Sequence, residues 1–390
     1  MVLNNVKLAH SGQTVNIRIS NGKIEKLQAC AIYDLTATLQ LYFDDAIVFP
    51  GLINSHDHLD FNLFPQLGNR TYSNYTEWGN YIHQQYKEEI NQVLKAPAHL
   101  RVLWGIYKNL ICGVTTVVNH GERLEVENPL IAVHEDTHDL HSAAFEKVWK
   151  LKLNNPLKRK LPVVIHTGEG TDKAATQEID CLIRWNRLHR KMVGIHAVAM
   201  TTKQAGNFEA IVWCPESNYF LLDTTAPVNC LKQHTNIVFG TDSTLTSNWN
   251  IWDHIKMARK TGMLTDEELY SSLNTTAAKV WSINTGELTE GKDADLVIAR
   301  RKSESTNLDA FYQVATTDLL LVIQQGNIRL IDQELFLQLA PHLVGKGFSL
   351  IKLGDSYKYV EGNIAELVES IKAYLPEAVF PFEVLVHLNL

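Results

Sequence analysis

The sequence predicts an α/β protein. Its centre is a distorted (β/α)8 TIM barrel over residues 50–285, joined by a small β-sandwich built from both chain termini. Three observations carry this. In the middle of the chain, short continuous apolar runs recur between helical or mixed stretches, as strands of a parallel sheet buried on both faces do. At both ends the pattern changes to alternation with turn residues, the mark of antiparallel strands. Four of the central runs end in His or Asp, and a barrel builds its active site at the C-terminal ends of its strands.

The elements follow in order. Val15–Ser20 alternates, Asn21-Gly22 is a hairpin turn, and Lys23–Ala29 resumes the alternation. The barrel runs begin at Ala46–Asn54 and continue with Gly113–His120, Leu161–Thr167, Met192–Ala199, Ala210–Ser217 and Asn236–Asp242. Thr265-Asp266-Glu267-Glu268 has capping-box form and opens a helix through Leu269 and Leu273. The strand character returns in Asp293–Arg301 and Thr317–Gln325, with a turn at Gly326-Asn327 before Ile328–Asp332. Residues 1–49 with 286–335 therefore form the accessory sandwich. Ile364, Leu367, Val368, Ile371 and Leu375 repeat at helical spacing after Asn363, so 336–390 reads as a C-terminal helical extension.

Composition narrows the function. With 36 basic and 43 acidic residues and a net charge of -7, the chain has no basic footprint for nucleic acid. No apolar run approaches the roughly 18–20 residues that span a bilayer, and the N-terminus has no basic segment leading into an apolar one. Five scattered cysteines with no CxxC pair argue against a disulfide framework or a thiolate metal site, and for a reducing, cytoplasmic setting. The expected partner is a small molecule, not a nucleic acid or a membrane; a homo-oligomer is allowed. The 16 histidines point to metal or proton-transfer chemistry.

His56 and His58, two apart on a strand, point to one face. His166 and Asp242, each ending another run, complete a nitrogen- and oxygen-rich set suited to zinc or iron. A lone HxH pair is usually incidental; the conjunction over several strands is what carries the reading. His134-Glu135-Asp136-Thr137-His138 spells HExxH, but the charged Asp136 and the lack of a correctly spaced third ligand argue against a zinc protease. His120-Gly121-Glu122 resembles half of the cytidine-deaminase signature, whose PCxxC partner is missing. Tyr75, Trp78, Ile82 and Tyr86 have helical spacing and read as packing against the barrel, which leaves Phe61 and Phe64 as the aromatic pocket candidates.

The segments PGLINSHDHL, GVTTVVNHG, IHTGEG, GIHAVAM, WCPESN, FGTDS and NTTAAKVWSINTGELTEGKDADLVI resemble the amidohydrolase superfamily. The match is to the aminohydrolase branch, with its adenosine, guanine and cytosine deaminases and triazine hydrolases. The resemblance spans about Val48 to Ile298. It implies one divalent metal ion on His56, His58, His166 and Asp242, zinc first, with iron or manganese allowed, and an activated water as nucleophile. It implies Glu169 as the acid/base, His196 as the group that orients the water, and Asp242 as both ligand and proton acceptor. Lys147, Lys150 and Lys152 lie in a helical-looking stretch, which disfavours a carboxylated-lysine, two-metal site. Phe61, Phe64, His120, His134 and His138 are the expected substrate contacts. The weakest part of the match is residues 121–160, where strands three and four must fit. The activity expected is deamination of a nitrogen heterocycle (purine, pyrimidine, pterin or triazine). The alternatives are hydrolysis of a cyclic amide or a C–Cl bond, and a non-catalytic metal-binding scaffold.

Overall fold

The computed structural model describes residues 1–30, 39–124, 126–302 and 308–389. Eight strands run through its centre: β1 (Leu52–Asp57), β2 (Val114–Asn119), β3 (Ala132–His134), β4 (His138–Ser142), β5 (Val163–Thr167), β6 (Met192–His196), β7 (Ala210–Trp213) and β8 (Asn236–Phe239). Every neighbouring pair is parallel, in two ladders, β1-β2-β3 and β4-β5-β6-β7-β8. β8 closes against β1 where the backbone N–H groups of Thr241 and Asp242 donate to the His56 carbonyl at 3.2 and 3.0 Å. This α/β fold with its parallel sheet is consistent with a TIM barrel.

The strands form on apolar runs that end in polar residues. β1, β2, β5, β6 and β7 are buried throughout, as strands covered on both faces must be. The helix Lys173–Trp185 between β5 and β6 shows how the crossovers are cut. Asp172 caps it by accepting from the Ala175 N–H at 2.9 Å, and Ala175, Ile179 and Leu182 form its buried stripe. At Gly51, just before β1, a Cβ would fall on the Thr115 side chain, so only glycine lets β1 and β2 approach there.

The terminal strands form one continuous hydrogen-bonded sheet. Ala46–Pro50 pairs antiparallel with Leu296–Arg300 and so joins the two ends of the chain. The hairpin Thr14–Ser20/Lys23–Gln28 turns on Asn21 and Gly22, both at positive φ (50° and 75°). The later hairpin, Leu319–Gln324/Asn327–Asp332, turns on Gln325 and Gly326, one residue earlier than the sequence suggests.

The helical extension expected over 336–390 is corrected. The helix Ile364–Tyr374 is there, but Gly347–Leu353, Ser356–Glu361 and Glu383–Asn389 are strands that extend the same sheet. The helical repeat at 364–375 drowns out weaker period-two patterns on either side. One of them also has a charge facing inward: buried Lys358 pairs with Asp332 and donates to the Leu319 carbonyl.

Candidate active site

The residues that end the barrel strands converge. His56 Nε2 and His58 Nε2 each lie 3.4 Å from His166 Nε2, and Asp242 Oδ1 lies 3.5 and 3.8 Å from the first two. A tetrahedral zinc with bonds of roughly 2.0–2.1 Å needs ligand atoms roughly 3.3–3.4 Å apart, so the spacing fits a metal ion. Two donor triads share the site, His56–His58–His166 and His56–His196–Asp242, all buried. Burial, then the neighbouring imidazoles, pushes His166 well below the ordinary histidine range, and burial lowers His56 and His58 as well. Neutral imidazoles keep the lone pair a metal needs. Asp242 behaves oppositely: burial disfavours its charge, but His56, His58 and His196 outweigh that and hold it well below the carboxylate range.

These groups are fixed from behind. His166 Nδ1–H donates to the His141 carbonyl at 2.9 Å. Asp242 Oδ2 accepts from the hydroxyls of Ser217 and Thr246 at 2.9 Å each, and Oδ1 from the Ser243 N–H at 2.8 Å. Asp242 and His196 both hold left-handed backbone (φ 58° and 70°), strain of the kind that gathers at functional sites. Beneath the HxH turn, Lys108 is buried with its Nζ 3.0 Å from Asp57 Oδ2 and 2.8 Å from Asn62 Oδ1. Asn62 and Asn109 also donate to Asp57, each at 2.8 Å. The residue between the two histidines is thus anchored by a buried cation and two amides.

Glu169 follows β5 after Gly168, whose φ of 62° suits glycine. Its carboxyl is buried, with Oε1 3.6 Å from His196 Nε2. Burial, then the charges of Asp242 and Glu178, raises it well above the carboxylate range, so it holds its proton. His196 is held neutral down to about 4, by burial first, partly offset by Asp242. Glu178 sets the loop by accepting from the Gly168 N–H at 3.0 Å and the Tyr75 hydroxyl at 2.9 Å.

Two cavities meet above the ligand cluster. One, of about 370 Å³, holds Glu169, His196 and Asp242 under an apolar roof that includes Phe61, Phe64, Trp78 and Phe145. The second, of about 970 Å³, shares His58, Phe61 and His141 with it and is lined by His120 and Asp139. Phe61 and Phe64 both line the smaller cavity, and Phe61 stacks on His58 at 5.3 Å. His120 is buried among His56, His58 and His166, 4.6 Å from the last between ring centroids.

His134 and His138 line neither cavity, which corrects their place as substrate contacts. His134 ends β3 against Trp281, at 5.7 Å, and His138 opens β4 with Nδ1 3.3 Å from Arg190 Nη2. The two lie on different strands, so the HExxH spelling never forms a helical face. His141 lines both cavities instead. Tyr75 and Trp78, expected only to pack, also line the smaller one. Lys108, Phe145 and Asn62 gave no usable signal, since each depends on contacts with residues far along the chain.

The amidohydrolase family model matches residues 150–329, a span that includes His166, Glu169, His196 and Asp242. Over that span the chain is similar to the amidohydrolase family. Solved structures agree on the fold. A zinc-bound adenosine deaminase from Xanthomonas campestris is 16% identical, with a TM-score of 0.69 over 97% of this chain and 98% of that one. A variant atrazine chlorohydrolase from Arthrobacter aurescens, complexed with zinc and atraton, is 13% identical with a TM-score of 0.71 over 96% and 100%. Helicobacter pylori aminofutalosine deaminase is 14% identical with a TM-score of 0.61 over 84% and 99%. No curated protein sequence matches. Among the described residues, no helix is long and apolar enough to cross a membrane.

Proposed function

We propose that this protein is a metal-dependent aminohydrolase of the amidohydrolase family, which removes an exocyclic amine from a nitrogen heterocycle. The observation that carries the reading is Glu169: a buried carboxyl, 3.6 Å from His196, that faces the ligand cluster inside a small aromatic-roofed cavity and whose burial favours the protonated form. His56, His58, His166 and Asp242 would hold one divalent ion, zinc by preference. Bound there, the ion would acidify a water and make it nucleophilic near neutral pH.

The chain's own residues supply the rest. Phe61 and Phe64, set edge to face at 5.8 Å, offer an aromatic wall for a flat ring in the cavity of about 370 Å³. Glu169 donates its proton to a ring nitrogen, which makes the amine-bearing carbon electrophilic. Asp242, held ionised, takes a proton from the attacking water. His196 presents Nε2 towards both carboxyl groups and steadies the charge that develops on the attacked carbon's oxygen. Returning a proton to the leaving nitrogen releases ammonia. His120 and His141 then contact the part of the substrate that reaches the second cavity.

The likeness to a chlorohydrolase keeps a second reading in view, in which the same attack expels chloride. Zinc-loaded protein incubated with amino-substituted purines, pyrimidines, pterins and triazines, and with chlorotriazines, separates the two. Ammonia release lost in Glu169→Gln supports the aminohydrolase; chloride release without ammonia replaces it. A protein that holds no near-stoichiometric metal after loading is a scaffold instead.

A further inference from the structure

His166 and His196 stack on one another, 5.4 Å between centroids and 17° between planes. Their Nδ1 atoms nevertheless meet opposite partners. His166 Nδ1 faces a carbonyl, which only accepts, so its proton is on Nδ1 and its lone pair is on Nε2, towards the ligand cluster. His196 Nδ1 faces the side-chain amide of Asn218, nitrogen to nitrogen at 2.8 Å. An amide can turn over, so the tautomer depends on what fixes the amide.

That anchor is Trp213. Its indole N–H can only donate, and it donates to Thr225 Oγ1 at 2.7 Å. The Thr225 hydroxyl, occupied as an acceptor, passes its one hydrogen to Asn218 Oδ1 at 3.2 Å. Asn218 must then turn Nδ2 to His196. All four residues are buried, so water does not replace a lost partner cheaply. Turning the amide over would put its NH2 against Thr225 and strand the hydroxyl hydrogen.

We propose that Trp213, acting through Thr225 and Asn218, sets His196 as the Nε2–H tautomer, making it a hydrogen-bond donor to the site and withholding it from the metal. The proposal rests on the metal-site reading above. It chooses between the two donor triads: His56, His58 and His166 offer lone pairs, while His196, 4.0 Å from Asp242 Oδ2, does not. Trp213, Thr225 and Asn218 are positioning residues; none touches the reacting atoms.

The test is 15N–1H correlation spectroscopy of histidine-ring-labelled full-length protein, both metal-free and zinc-loaded, with His196 assigned by its loss in His196→Gln. In the wild type, His196 should show the Nε2–H pattern in both states, with no zinc-induced shift at Nε2. Thr225→Val removes the hydroxyl and should bring the Nδ1–H form to about a tenth or more of the population; Thr225→Ser should restore the wild-type pattern. Asn218→Asp, an acceptor only, should invert the tautomer. A wild-type Nδ1–H pattern, a zinc-bound Nε2, or a Thr225→Val spectrum identical to wild type overturns the proposal. The wild-type spectrum decides even where a variant fails to fold. No substrate is needed, so failure of the ammonia assay leaves this result standing, and the reverse holds too.

Discussion

Two walls of the barrel mouth are built differently. One comes from β1, β5, β6 and β8, which together with the residues just beyond them carry His56, His58, His166, Glu169, His196 and Asp242. Its strands are almost wholly buried, and its polar ends are tied to one another and to hydroxyls and amides behind them. The other comes from β3 and β4, three and five residues long and largely half-buried, with no ladder between them. It contributes His141 and Asp139 to the cavities and none of the ligand cluster. The difference teaches where each requirement sits. Metal binding and proton transfer need exact placement in low dielectric, which buried parallel strands supply. The half-solvated wall is free to vary in shape, and shape selects substrates.

Breaking the first wall should have the largest effects. His56→Ala deletes a donor common to both triads. It should abolish near-stoichiometric zinc binding, read by metal analysis, and activity with it. Glu169→Gln should leave the metal in place and lower kcat by about 10²–10⁴-fold. The sign of its pH dependence follows from the raised carboxyl. The proton is present below the folded pKa and lost above it, so the rate should fall as pH rises through a value well above the ordinary carboxylate range. A rate that instead declines only below pH 4 would remove Glu169 from the acid role.

Lys108 tests how far the first wall depends on its foundation. Lys108→Met leaves Asp57 ionised and buried without its cation. Breaking a buried pair from one side costs about 3–5 kcal/mol. Denaturant unfolding should show that loss, and zinc affinity should fall because His56 and His58 flank Asp57. Unchanged stability would mean that Asn62 and Asn109 suffice to hold the turn.

The same contrast explains what was legible in the sequence. β1, β5, β6 and β8 announce themselves because an unbroken apolar run ending in His or Asp is rare and period-independent. Glu169 and His196 come with them, by resemblance of the short motifs that follow the runs. β3 and β4 carry half-exposed side chains, so neither continuous burial nor clean alternation marks their register. His134 and His138 look like site residues for the same reason that His141 was not preferred over them: spacing cannot say which faces the cavity when the strand boundaries are unmarked. The foundation was unreadable for another reason. Lys108 meets Asp57 across 51 positions, and its burial depends on a carboxylate that composition reads as solvent-facing. The C-terminal strands failed similarly, through the buried Lys358.

Arg190 is the second wall's counterpart of Lys108, and the comparison sharpens there. Its buried guanidinium donates to the carbonyls of Leu153, Lys158 and Leu161 at 3.0, 2.7 and 2.9 Å, gathering the chain that leads from β4 to β5. Here the partners are neutral. Arg190→Met strands carbonyls rather than a charge, at about 1–3 kcal/mol for a buried group left unsatisfied. Its stability loss should be smaller than that of Lys108→Met, with zinc content intact. A variant that lost zinc would show that the two walls are not separable.

The smallest effect belongs to His141→Ala. Its ring stands between the two cavities, beside Phe145 at 5.6 Å and His166 at 5.3 Å. The bond that fixes His166 runs from its Nδ1–H, on the side away from the ligand cluster, to the His141 backbone carbonyl, so removing the His141 side chain leaves it and opens one cavity into the other. Zinc content should stay unchanged, and kcat for a small heterocycle should move by less than about tenfold. KM should shift more than kcat, most for substrates long enough to reach His120. A collapse of kcat with KM preserved would place this histidine with the chemical wall, and the division between a wall that reacts and a wall that selects would fail at the point where the two meet.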